Sequence, residues 1–303
     1  MKVKLKDIHI RTWTPEGTLV GIVQIIHGMG EHGGRYDQLA RRLNKEGYLV
    51  VSTDHRGHGL SVEKIEALGV IPQPFETLIE DEMELTCQLK RGYPGIPLFI
   101  LGHSMGSFMA QGHMKKSTEE VEGYILSGSC RTPYLKTAMG SKLGKIIELI
   151  RKNKKSKLMN KLLFAGYNRA IKGRITAFDW LSRDKKVVAR YIEDPYCGFV
   201  YTSGFYASFL AYLSKLFHKH DFDSLDRDIP LLIMSGDRDP VGFYGRGVRR
   251  LAHFYEKMGF RNLRLKLYPG GRHEMINEIN RVEVHEDILQ FLKGNLTLHP
   301  NNQ

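Results

Sequence analysis

Ser104 stands inside Gly102-His103-Ser104-Met105-Gly106, directly after the apolar run Pro97-Leu98-Phe99-Ile100-Leu101. A serine in a Gly-x-Ser-x-Gly pattern after a strand-like run is placed for nucleophilic chemistry, because a sharp strand-to-helix turn pushes its hydroxyl into the open. The flanking glycines suit a turn with no room for Cβ atoms, and the serine between them is held under strain. Such a hydroxyl would attack a carbonyl carbon in hydrolysis or acyl transfer. The same five residues also read as a turn glycine, a helix-capping serine and a packing glycine, so the chemistry needs support from its surroundings.

The elements that would hold Ser104 alternate. Residues 19–26 read as a buried strand and 36–46 as an amphipathic helix with Leu39, Ala40 and Leu43 inward. Residues 48–53 read as a strand, 75–91 as a helix with acids on its outer face, 98–101 as a strand, 105–115 as the helix after the serine and 123–127 as a strand. The alternation resumes after about residue 225 with a strand at 230–235, a helix at 245–258, a strand at 263–268 and a closing helix at 280–293. Short connections between such elements predict an α/β fold, a mostly parallel sheet with helices on both faces.

Between the halves, 131–225 lacks strand alternation. Its stretch 139–163 has Leu143, Ile146, Ile147 and Ile150, then Leu158, Met159, Leu162 and Leu163, at helical spacing, with lysines on the other face. Its later part is aromatic, with Tyr191, Tyr196, Phe199, Tyr201, Phe205, Tyr206, Phe209, Tyr212 and Phe217. The reading is a helical insertion between two parts of one core, 1–130 and 226–303, rather than an independent domain. The polar tail after Lys293 is expected to fray.

At 303 residues, the chain has enough apolar and aromatic side chains for a large core. Cys87, Cys130 and Cys197 lie far apart with no paired spacing, which argues against a disulfide framework or a zinc site and fits a reducing compartment. The first residues carry lysines but no apolar run after them, and no stretch approaches a bilayer span, so a soluble, cytoplasmic protein is expected. The net charge of +12 is local: 131–190 holds 17 Lys and Arg against Glu148, Asp179 and Asp184, a surplus of 14 that leaves −2 for the rest.

A serine hydroxyl needs a general base, and the base needs a group to orient it. In α/β-hydrolase chain order the acid follows the serine and the histidine follows the acid. Ile233-Met234-Ser235-Gly236 ends a strand and runs into Asp237-Arg238-Asp239-Pro240, while Tyr268-Pro269-Gly270-Gly271-Arg272 leads from the next strand to His273. His253 and His285 read as helix positions and His299 is in the tail, which leaves His273 as the base. Asp237 and Asp239 compete for the acid role; the wider loop favours Asp239, and the other would brace the loop. Oxyanion donors are expected from the N–H of Met105, after the serine, and of Met29, in the Gly-rich turn His27-Gly28-Met29-Gly30. No metal and no organic cofactor is called for.

With these pieces in order, the chain resembles the monoglyceride lipase and lysophospholipase branch of the serine α/β-hydrolases, a group that includes S33-type aminopeptidases. The matching residues are His27-Gly28-Met29-Gly30-Glu31-His32 with Arg35-Tyr36, Asp54-His55-Arg56-Gly57-His58-Gly59-Leu60-Ser61, the residues around Ser104, and Asp194-Pro195. The resemblance spans nearly the whole chain and is thinnest between about 131 and 180. It selects Asp239 within Gly236-Asp237-Arg238-Asp239, and it implies a polar head-group pocket at Glu31, Arg35, His103 and Tyr191. Taken from the sequence alone, Glu31 and Arg35 also fit a surface ion pair. Position 276, where the resemblance expects a second histidine, is Ile, which leaves the head group open.

The resemblance further implies an α/β-hydrolase fold in which 131–225 caps the site and carries the acyl chain. The expected activity is cleavage of carboxylic acyl esters of single-chain lipids through an acyl-Ser104 intermediate. The alternatives are a lysophospholipase, a general carboxylesterase, a proline iminopeptidase-type peptidase and a non-catalytic receptor. The Lys-rich stretch reads either as a solvated face or as a contact with anionic membrane. Nothing else supports nucleic acid as a partner.

Overall fold

A computed structural model describes residues 4–117, 121–218, 222 and 225–296; the end of the polar tail, including His299, lies outside them. One sheet contains β1 (His9–Trp13), β2 (Gly21–Ile26), β3 (Tyr48–Asp54), β4 (Leu98–His103), β5 (Gly123–Ser127), β6 (Leu231–Gly236) and β7 (Leu263–Tyr268). The spatial order is β1-β3-β2-β4-β5-β6-β7; β1 runs antiparallel to β3 and the other neighbours are parallel. β2 to β6 are buried along their length, as continuous apolar runs require of a sheet covered on both faces.

Alternate side chains feed two cores. Ile22, Ile100, Leu126 and Ile233 pack on one side, against α2 (Glu76–Gly92), α3 (Met105–Lys116) and α8 (Arg246–Lys257). Val23, Phe99, Leu101 and Ile125 pack on the other, against α1 (Asp37–Asn44) and α9 (Arg281–Gly294). The sequence reading missed β1. It is five residues long, half-buried and at the sheet edge, and it is fixed by pairing with β3 and by Arg11 gripping Asp54 at 3.0 and 3.1 Å.

Between β5 and β6 lie α4 (Tyr134–Ile150), α5 (Lys157–Phe164), α6 (Lys185–Glu193) and α7 (Ser203–Lys215). α7 packs Phe209 and Tyr212 against Phe75, with ring centroids 4.9 and 5.0 Å apart, so this helix shares the main core. The helical pattern in 139–163 is divided. Glu148 accepts the Asn153 N–H at 2.8 Å and, through its other oxygen, the Gly204 N–H at the start of α7. Ser156 then caps α5 by accepting the Met159 N–H.

The apolar spacing read in this segment does not face the core along α4. Its buried positions are the small residues Thr137, Ser141 and Gly144; a Cβ at Gly144 would sit 2.9 Å from that of Ala207 on α7. Leu135, Met139, Ile146, Leu149 and Ile150 instead point outward, 55–86% exposed, among Lys136, Lys142 and Lys145. Close helix contact through small residues has turned the apolar stripe to the outside. Among the described residues, no helix is long and apolar enough to cross a membrane.

Several buried histidines make the fold acid-sensitive. His27 stacks on His55 at 3.7 Å and meets His58 edge-on. Burial, reinforced by neighbouring imidazoles, lowers His27 and pushes His58 down to about 3, and burial takes His113 to about 4. The unfolded chain takes up protons below about pH 6.5 that these folded sites refuse, so their stabilisation is full above that value and lost as pH falls toward the folded values. His273, raised by Asp239, acts in the opposite sense but is outnumbered. The melting temperature is expected to fall steadily from about pH 6.5 to pH 5; a flat calorimetric profile over that interval would contradict neutral buried imidazoles.

Candidate active site

β4 delivers Ser104 to the start of α3 with φ 52° and ψ −118°, a conformation outside the ordinary regions for a residue with a side chain. Its N–H is fixed by Ser127 O of β5 at 2.9 Å. The neighbouring glycines are sterically required: a Cβ on Gly102 would meet Gly106 O at 2.4 Å, and one on Gly106 would meet Ile26 O at 2.0 Å.

The loops after β6 and β7 bring Asp239 and His273 together. His273 Nδ1 lies 3.0 Å from Asp239 Oδ2, and both side chains are buried. Asp239 also accepts the Ser235 hydroxyl at 2.9 Å and the Val241 N–H at 2.8 Å. Burial opposes its charge, but His273 and these donors hold its carboxyl below the usual range. For His273, burial would lower the imidazole, while the Asp239 carboxylate outweighs it and raises the value. Asp237 accepts the Gly270 N–H at 2.8 Å and is half-exposed, bracing the loop without reaching the histidine ring. Gly128 leaves room for the imidazoles, since a Cβ there would lie 2.9 Å from His273 Cε1 and 3.1 Å from His103 Cε1.

Gly28 of the turn after β2 comes close enough that its Cβ would sit 3.2 Å from that of Ser104. Gly28 N–H donates to Glu31 Oε1 and Gly30 N–H to the Tyr201 hydroxyl, each at 2.6 Å. The Met29 N–H, between them, has no acceptor among the described residues. Met105 opens α3 and carries an orphan N–H of a helix N-terminus.

Glu31 and Arg35 are not a surface pair. Arg35 Nη1 lies 2.7 Å from Glu31 Oε2, and its fork grips both oxygens of Glu274 at 2.6 Å. Tyr191 lies beneath the guanidinium, 4.8 Å from ring centroid to Cζ, and donates its hydroxyl to Gly30 O at 2.9 Å. Burial would raise the Glu274 carboxyl, yet Arg35 holds it below its ordinary range. His103 is pushed down to about 4, chiefly by burial and then by His273, and is neutral. Sequence reasoning missed Glu274, whose only signal was a carboxylate directly after His273.

Two cavities meet at Ser104, Met29, Phe164, Ala165 and Trp180. One, of about 280 Å³, is lined by Glu31, His103, Tyr191, His273 and Glu274; the other, of about 420 Å³, by Phe108, Leu143, Met159, Leu162, Leu163, Tyr206, Phe209 and Leu213. Aromatics of the insertion therefore serve both its packing and a cavity wall. His32, Asp194 and Cys197 bring ligand-type atoms within 4.8 Å of one another. Gly34 N–H donates to His32 Nδ1, however, so Nε2 carries the proton that Asp194 accepts at 2.9 Å. That ring is set for a hydrogen bond rather than for a cation.

The sheet order, the helices on both faces, the insertion after β5 and the strained strand–turn–helix at Ser104 define an α/β-hydrolase. The chain belongs to the serine aminopeptidase S33 family, whose model matches residues 17–280. It is 28% identical over 292 residues to a monoacylglycerol lipase of Mycolicibacterium smegmatis, covering 94% of this chain and 92% of that protein. It is 40% identical over 100 residues to human monoglyceride lipase, covering 33% of this chain and 32% of that one. A crystal structure of a thermostable carboxyl esterase from Bacillus coagulans, in complex with glycerol, matches with TM-score 0.88 and 30% identity over 96% of this chain and 94% of that one. The family agrees with the resemblance read from the motifs, and the chain is a carboxylic-ester hydrolase.

Gly106→Ala drives a methyl group into Ile26 O and is expected to destabilise the protein by about 3 kcal/mol or more. Gly294→Ala, where a Cβ meets nothing within 4 Å, should stay within about 0.5 kcal/mol of wild type. Equal urea midpoints for the two variants would refute the steric account of the turn.

Proposed function

We propose that the chain hydrolyses acyl esters of single-chain lipids, monoacylglycerols among them, by way of an acyl-Ser104 intermediate. The observation that carries this reading is the position of Ser104 at the junction of two cavities, one with Glu31, His103, Tyr191 and Glu274 in its wall and the other lined mainly by apolar side chains. The alcohol part fits the side lined by Glu31, His103 and Tyr191, and the acyl chain fits the apolar side. Names of the relatives support it: monoacylglycerol lipases in sequence, and an esterase solved with glycerol in structure.

In this mechanism His273 takes the Ser104 proton as the hydroxyl attacks the ester carbonyl, and Asp239 orients the ring and stabilises the imidazolium. The N–H groups of Met29 and Met105 hold the oxyanion of the tetrahedral intermediate. His273 returns the proton to the leaving alcohol, then activates the water that releases the fatty acid. Residues 131–225 act as the cap. The apolar second cavity favours an acyl chain over the aminoacyl substrate of a peptidase.

A second observation bears on where the substrate is met. Leu143 and Leu162 line the apolar cavity and are also part of the exposed stripe on α4 and α5, which is flanked by Lys152, Lys154, Lys155 and Lys157. An exposed apolar stripe among lysines suits docking on anionic membrane, with the cavity opening toward the lipid.

Ser104→Ala should abolish hydrolysis of a p-nitrophenyl ester. Asp239→Asn should lower kcat/KM about a thousandfold or more, while Asp237→Asn stays within about tenfold of wild type. Reversal of the two aspartate effects would overturn the assignment of the acid. For the membrane contact, replacing Ile146 and Leu149 by Ser and the four lysines by Gln should reduce co-sedimentation with phosphatidylserine vesicles at least about tenfold. Undiminished sedimentation of that variant removes the docking surface.

A further inference from the structure

We infer that Glu274 makes the polar cavity select uncharged or cationic alcohol groups and exclude anionic ones. The inference rests on the proposed role of that cavity as the alcohol side of the site.

Two carboxylates surround one guanidinium here, and all three are nearly buried. Arg35 spends its fork on Glu31 and on both oxygens of Glu274, and the ring of Tyr191 covers one of its faces. Glu31 also accepts the Gly28 N–H and the Tyr36 hydroxyl. The cluster therefore carries one net negative charge. Glu31 and Glu274 are among the residues that line the cavity and Arg35 is not, so the acidic members of the cluster are the ones nearest an incoming group.

No other group beside the cavity reverses this sign. His103 is neutral, and His273 faces the site with the Asp239 carboxylate behind it. Lys161 is the only lysine or arginine among the described lining residues, and it is exposed, so water and salt screen it. Without Glu274, Arg35 and Glu31 would form a neutral pair with part of the fork free to bind an anion. One carboxylate converts an anion site into one that repels anions. The rings of Phe178, Tyr191 and Phe199 also line the cavity and suit an ammonium group as well as a polyol.

The test uses dodecanoate esters of glycerol, choline and glycerol 3-phosphate, each below its aggregation concentration. For the wild-type enzyme, kcat/KM for the glycerol and choline esters should each exceed that for the phosphate ester by at least about tenfold, a difference of about 1.4 kcal/mol. Glu274→Gln should shrink this ratio about tenfold, and Glu274→Asp, which keeps the charge, should preserve it. Ratios within one variant are independent of its folded fraction, and the wild-type ordering needs no variant. Equal turnover of the phosphate and glycerol esters by the wild type, or an unchanged ratio in Glu274→Gln, overturns the inference. Failure of every dodecanoate would remove the single-chain-lipid reading instead; butanoates of the same alcohols then read the charge order by the same ratio.

Discussion

The whole site depends on one backbone contact, the approach of α3 to the end of β2. Gly106 lies so close to Ile26 O that no side chain fits between them, and Gly102 is equally close to Gly106. This contact bends the chain at Ser104 into its positive-φ conformation. It also brings the turn after β2, with Gly28 and Met29, alongside the serine. A comparable contact joins the other two loops: a Cβ on Gly236 would fall 2.0 Å from Gly271 O, and Arg238 N–H donates to that same oxygen at 2.9 Å. The loop carrying Asp239 and the loop leading to His273 are thereby held as one unit. Missing side chains at strand ends, more than any side-chain contact, set the distances within the site.

The insertion is fastened to both of these units. Tyr201 OH accepts the Gly30 N–H, and Gly30 O accepts both the Tyr191 hydroxyl and the Gly198 N–H at 2.9 Å. On the histidine side, Glu274 N–H donates to Leu181 O at 2.8 Å, and Arg272 Nη1 donates to Asp179 O and Ser182 O. The part of the insertion nearest Trp180 is thus continuous with the loops that carry Asp239 and His273. α4 is held differently, through Thr137, Ser141 and Gly144 against α7, with Leu135, Met139, Ile146, Leu149 and Ile150 left outside. The part of the segment that lines the cavity with Glu31 and Glu274 is bound by directional polar bonds, whereas α4, which lines the apolar cavity through Leu143, rests on close contact between small residues.

Much of this was legible in the sequence because parallel strands are read by continuous burial and the elbow by its glycines. Periodicity supplied the helices of the core, and the loops after successive strands supplied Ser104, Asp239 and His273 as candidates. It failed where the partner of an element is not encoded locally. β1 is a short edge strand defined by β3, and α4 has a recognisable apolar stripe whose direction depends on a small-residue face packing on α7. Glu274 was illegible for a related reason: a carboxylate beside a histidine reads as ordinary surface charge until Arg35, far away in the chain, is seen to grip it. Asp237 and Asp239 could be ranked by loop width, yet their contacts separate them by chemistry, one bonded to a backbone N–H of its own loop and the other to an imidazole.

The charge of the chain acquires meaning once it is sorted by depth. The surplus of positive charge in 131–190 is spread over exposed residues such as Lys142, Lys145, Lys152, Lys154 and Lys155. The cavity beside Ser104 is instead lined by Glu31 and Glu274, the two carboxylates paired with Arg35. Phe164, Phe178 and Trp180 also line that cavity, so apolar rings share its wall with the carboxylates. Exposed charges are screened over roughly 8 Å at physiological ionic strength, while buried ones are screened much less. The lysines therefore do not neutralise the carboxylates, and the two fields can act on different things. On the proposed reading, the outer field favours an anionic lipid surface, and the inner one admits from that surface only esters whose alcohol is not itself an anion.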